Sequence, residues 1–89
     1  MATDKEFTVV GVSELNGVFK VRYANSVKRG AVLAKNGHTN IFLIELDTPS
    51  RKIDCVDAML DVVEKTEHNL SPAAVEAVLE EAREFGFCV

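Results

Sequence analysis

"FTVVGVSELNGVFKVRYA", residues 7–24, sets Asn16-Gly17 between two runs rich in β-branched and aromatic residues. A two-residue type I′ turn needs positive φ at both central positions, and Asn-Gly meets that demand at little steric cost. The stretch therefore reads as a β-hairpin. With Leu15 opposite Val18, the register sets Glu14 against Phe19, Val12 against Val21 and Val10 against Tyr23. That face is largely apolar and is expected to meet the core. Phe7, Val9, Leu15 and Val18 share the other face with Gly11, Ser13, Lys20 and Arg22. This mixture is too apolar at one end to be simply solvated, and it reads as an oligomer contact.

Downstream of the hairpin, Asn25 or Ser26 is placed to cap a helix from Val27 to Asn36, which Gly37 ends in the left-handed conformation. At 100° per residue Val27, Gly30, Ala31 and Ala34 share one face, flanked by Leu33, and such small residues are expected to let the helix lie close to a sheet. The apolar run IFLIEL, from Ile41 to Leu46, follows as a strand expected to be buried on both faces. Right-handed crossover places this strand parallel to the second and beside the first, giving the order 2-1-3 in a mixed sheet.

The second half reads as helical. Ser50, or Thr48 followed by Pro49, is the expected cap of a helix whose Ile53, Val56, Leu60 and Val63 repeat at helical spacing. Leu70-Ser71-Pro72 supplies staple, cap and first helical residue for a last helix, with Val75, Val78, Leu79, Ala82 and Phe85 as its stripe and Gly86 as its stop. The order is β-β-α-β-α-α, an α+β fold. The last two helices are expected to cover the same sheet face as the first helix or to extend to a partner.

A chain of 89 residues that is 47% hydrophobic, without a low-complexity tract, is expected to form one compact domain over residues 1–89. Its core is small, so further burial in a homo-oligomer is expected. No run approaches the roughly 18 apolar residues of a membrane span, and MATDKEF has no signal-peptide character. The expectation is a soluble, cytoplasmic protein without a membrane partner. Cys55 and Cys88 have no companions at metal-ligand spacing and are expected to be reduced thiols, the first buried and the second on the tail; an intersubunit disulfide is the alternative.

Charge is distributed unevenly. Residues 15–44 carry Lys20, Arg22, Lys28, Arg29 and Lys35 and no acidic residue, whereas residues 45–89 carry eleven Asp or Glu against four Lys or Arg. The net charge of −4 hides this dipole. Lys28 and Arg29 fall in the first turn of their helix, where the macrodipole disfavours cations by roughly 0.3–1 kcal/mol each. A phosphate or carboxylate at that terminus would explain them, as would acids from the last two helices or a second subunit. Lys20, Arg22, Lys28, Arg29 and Lys35 together form the candidate anion or nucleic-acid surface. An acidic protein of pI about 5.1 lacks the strongly basic footprint of a nucleic-acid-binding domain. Conversely, Asp54, Asp57, Asp61 and Glu64 form a candidate docking surface for a basic partner, with Glu76, Glu80, Glu81 and Glu84 on the last helix.

Little points to catalysis. His38 and His68 have no Ser, Cys or Asp at motif spacing, and pairs such as Cys55/His38 or Cys88/His68 would depend on tertiary proximity. The glycines form neither GxGxxG nor a P-loop, no EF-hand-like loop accompanies the carboxylates, and no cofactor or metal is implied. The function expected first is therefore a non-catalytic interaction or regulatory protein that self-associates and contacts a protein partner. Nucleic-acid or phosphate-ligand binding through residues 20–38 ranks second. A small enzyme using His38 or His68 ranks third.

Overall fold

A computed structural model describes residues 6–65 and 70–89, leaving aside the side chains of Val27 and Arg29. Asn16 (φ 54°) and Gly17 (φ 79°) both take the left-handed backbone that the hairpin turn requires. Strands β1 (Phe7–Leu15) and β2 (Val18–Ala24) pair antiparallel in the expected register, Val10 facing Tyr23 and Val12 facing Val21. Helix α1 spans Val27–Lys35. It ends in a Schellman arrangement: Gly37 (φ 89°) donates to the Ala34 carbonyl and His38 to the Leu33 carbonyl. Ser26 occupies the N-cap position, but its side chain makes no capping hydrogen bond.

Strand β3 (Thr39–Ser50) extends beyond the expected run at both ends, taking in Thr48 and Pro49. Its apolar residues from Ile41 to Ile44 are half-buried, not enclosed on both faces. The sheet order is β2-β1-β3, and both ladders are antiparallel. The two outer strands run in the same direction with β1 between them, so the order is as expected but the sheet is antiparallel throughout, not mixed.

Two irregularities interrupt the β1–β3 ladder. The pairing shifts by one residue between Val12–Phe42 and Glu14–Thr39, which leaves Asn40 and Ile41 opposite the single Ser13. Asn40 takes φ 48° there, and its Nδ2 donates to Glu14 Oε1 at 2.7 Å. The second break lies between Phe7 and Val9. Phe7 consequently leaves the face expected for it and packs on the core, its ring 5.5 Å from that of Tyr23.

Helix α2 covers Lys52–Glu64, with Arg51 at the N-cap and no side-chain cap. The expected caps are used otherwise, since Thr48 and Ser50 belong to β3 and Ser50 Oγ donates to the Thr48 carbonyl. The buried residues are Cys55, Val56, Met59 and Leu60, while Ile53 is 38% exposed. Val56, Leu60 and Val63 thus keep the expected contact with the core, Cys55 and Met59 join them, and Ile53 alone of the expected stripe stays out.

Helix α3 (Pro72–Glu84) begins as expected: Ser71 Oγ accepts from the Ala74 amide at 3.3 Å, and Pro72 follows it. Its innermost residues are Ala74, Val78 and Ala82, whereas Phe85 is exposed. Past the stop at Gly86 (φ 92°), Phe87 donates to the Ala82 carbonyl and takes the core position expected of Phe85.

The two C-terminal helices lie together on the face of Val10 and Val12, where Val56, Met59 and Val78 complete the core. Helix α1 lies on the opposite face. Register parity places Val9, Gly11, Ser13, Arg22 and Leu43 on that side, and His38, just past α1, bonds to Ser13. The expectation that all helices share a face, or reach out to a partner, is therefore replaced by a three-layer order, α1 over the sheet over α2 and α3. Nor does α1 use its small face. Ala31 and Ala34 are exposed and Leu33 is the partly covered residue, whereas on α3 the small Ala74 and Ala82 are buried.

Candidate functional site

The sheet separates two charged sides. On the α1 side, β2 contributes Lys20 and Arg22 by register, and the helix contributes Lys28 and Lys35. Lys20, Lys28 and Lys35 are exposed and, among the described residues, join no ion pair. Register adds one carboxylate, Glu45, to this side. The side chain of Arg29 lies outside the described part, so four of the five expected cations can be placed. Lys28, Lys35 and Arg22 share one side of the molecule, whereas Lys20, on the outer strand, also borders a groove with Glu80, Glu81 and Glu84 of α3.

Arg22 is engaged differently from the lysines. Its Nε donates to Ser13 Oγ at 3.0 Å, and the same hydroxyl lies 2.8 Å from His38 Nδ1. Ser13 is wholly buried in the strand. One hydroxyl oxygen thus accepts from Arg22 and is hydrogen-bonded to His38 as well. The three side chains thereby tie β1, β2 and the segment after α1 to one hydroxyl. Sequence reasoning weighed Arg22 and His38 separately and missed Ser13. Its signal is the one polar side chain on the Phe7, Val9, Gly11, Leu15 face of the strand, but the bulge that brings β3 and His38 to it has no marker at the level of residue type.

Beside this lock, α1 and the sheet leave a cleft of about 390 Å³ lined by Arg22, Ala24, Val32, Leu33 and Leu43 among others. Ser13 and His38 do not line it. A serine beside an imidazole invites comparison with a nucleophile and its base, but here the hydroxyl is enclosed and holds a guanidinium, so the arrangement suits fixing a helix to a sheet. The Cys55/His38 pair is not assembled. Cys55 lies in the core on the far face of the sheet, its thiol directed at the Ser50 carbonyl at 3.6 Å, and burial, with Asp54 nearby, pushes that thiol's pKa up. Cys88 is exposed, and His68 lies outside the described residues.

On the other side, Asp54, Asp57, Asp61 and Glu64 are all exposed along α2, as the periodicity indicates. Asp54 meets Arg51 at 3.7 Å and Asp61 meets Lys65 at 3.4 Å. Among the described residues, Asp57 and Glu64 have no cationic partner. These two rim a groove of about 420 Å³ between α2 and the C-terminal tail, whose apolar surface includes Leu60, Phe87 and Val89. On α3, Glu76 pairs with Arg83 at 3.1 Å. Glu81 accepts from the Tyr23 hydroxyl at 2.6 Å, and Lys52 Nζ stands 5.3 Å from the Tyr23 ring centre. Burial, and then the Glu81 carboxylate, drive the Tyr23 pKa well above the usual phenol range.

Among the described residues no group of three or more His, Cys, Asp or Glu is placed to hold a metal ion. No helix among them is long and apolar enough to cross a membrane. The chain matches no protein family, no curated protein and no solved structure.

Proposed function

We propose that this chain is a non-catalytic interaction protein that associates with itself and with protein partners through its two oppositely charged sides. The observation that carries this reading is the partition of charge by the sheet. Among the described residues, Lys28 and Lys35 on one side and Asp57 and Glu64 on the other join no ion pair. Within one copy α1 and α2 lie on opposite faces of the sheet, so a second molecule is what can bring Lys28 and Lys35 against Asp57 and Glu64. Exposed apolar residues accompany the charges, with Val32 46% exposed on α1 and Val89 46% exposed beside α2. Cytoplasmic residence is part of the same reading, supported by two cysteines that form no disulfide.

Light scattering of the purified protein at high micromolar concentration, in low and high salt, tests the reading. The expected result is a mass above the monomer at low salt that falls as salt screens the contacts. A monomer under both conditions contradicts it.

Nucleic-acid or phosphate binding is the second reading, favoured by the convergence of Arg22, Lys28 and Lys35 on one side. Against it, Phe19 and Tyr23 turn to the core and offer no stacking platform, and Arg22 is held by Ser13. That reading expects affinity that falls steeply with salt and is weakened by Lys28→Glu with Arg29→Glu.

A further inference from the structure

The self-association proposed above has a specific geometry available to it. On α1, at 100° per residue, Lys28, Ala31, Val32 and Lys35 form one exposed stripe, with a cation at each end and an apolar centre. On α2, Asp57 and Glu64 share a stripe with Asp61 and flank the groove that Leu60, Phe87 and Val89 line. Lys28 and Lys35, like Asp57 and Glu64, are seven residues apart, roughly 10.5 Å along a helix axis. The two spacings match.

The helix dipoles select a direction. Lys28 stands in the first turn of α1, which has no acidic residue, and Glu64 stands in the last turn of α2, which has no basic one. Each helix therefore carries at that end the charge its own dipole disfavours. We infer that α1 of one copy docks antiparallel on α2 of a second copy, Lys28 against Glu64 and Lys35 against Asp57, with Val32 entering the groove beside Leu60 and Phe87. This inference rests on the self-association reading and adds the contact to it. It also explains why cations are retained in the first turn of α1. Because α1 and α2 lie on opposite faces of the sheet, a copy that receives this contact does not return it to the same neighbour. The assembly is head-to-tail, closing as a ring or growing as a chain.

Two neutralising double variants test the contact, Lys28→Gln with Lys35→Gln and Asp57→Asn with Glu64→Gln, each at exposed positions. In sedimentation velocity at low salt, each variant alone is expected to self-associate about tenfold more weakly than wild type, a change of about 1.4 kcal/mol. An equimolar mixture is expected to form dimers that stop there, since each variant retains one intact half of the contact. If wild type associates and neither variant weakens it, the assigned faces are wrong while self-association stands. Weakened variants that do not form dimers on mixing overturn the head-to-tail contact. A monomeric wild type overturns both readings, and if that monomer retains a single-stranded oligonucleotide that the lysine variant releases, the α1 stripe belongs to nucleic acid.

Discussion

Ser13 carries more of the architecture than its size suggests, because its single hydroxyl holds Arg22 from β2 and His38 from the end of α1. Ser13→Ala would leave a partly buried guanidinium nitrogen and an imidazole nitrogen without their shared partner. The expected loss is about 1–2 kcal/mol by urea denaturation, against a change within about 0.5 kcal/mol for the exposed Lys20→Ala. Gly11 nearby shows the same economy of space: a Cβ there would overlap the Phe42 carbonyl oxygen and lie 2.7 Å from Leu43 Cα. Tyr23 and Cys55 set an alkaline limit. Both titrate higher in the fold than their ordinary values of 10.0 and 9.0, so the folded state retains protons that the unfolded chain releases. Stability is therefore full below about pH 9 and falls as pH rises past 9 and then 10. Melting temperature measured from pH 7 to 11 should fall across that window, and less steeply for Tyr23→Phe, which has no phenol to ionise. Residue type alone could not reveal these environments, since the Tyr23–Glu81 bond joins segments 58 positions apart.

At the scale of elements, stops were more legible than phases. Asn16-Gly17, Gly37 and Gly86 each end an element through a positive φ, a local requirement that residue type announces. Helix rotation depends on what lies beneath. Counting apolar residues along α2 favours Ile53, yet the sheet receives Cys55 and Met59, and in α3 it receives Ala74, with Phe87 standing in for Phe85. The two assignments differ measurably. Met59→Ala should cost about 2–5 kcal/mol in denaturation experiments, whereas Ile53→Ala should stay below about 1 kcal/mol. Equal costs at the two positions would indicate the phase read from periodicity. The separation of α1 from the other helices was equally hidden, because right-handed crossover bears on the face α1 takes but not on the face α2 and α3 cover.

At the scale of the whole molecule, the sheet converts a charge asymmetry along the chain into one between the α1 face and the α2 face. The asymmetry was legible from the counts of Lys, Arg, Asp and Glu. Which charges remain unpaired was not, because Arg51, Lys65 and Arg83 take up only some of the acids on their own side. Among the charges left without an ion pair in the described residues, Lys28 with Lys35 and Asp57 with Glu64 lie at matched spacing on opposite outer helices. The central claim is that these surfaces meet between copies, and Cys88 beside the α2 groove offers a native reporter. The most direct measurement is oxidation of a Val32→Cys variant, mixed from isotope-labelled and unlabelled protein, with disulfides identified by mass spectrometry. The account predicts a bond between positions 32 and 88 that joins labelled to unlabelled chains at low salt and diminishes at high salt. Its absence, with Cys88 reacting only with Cys88 or remaining free, would contradict the account.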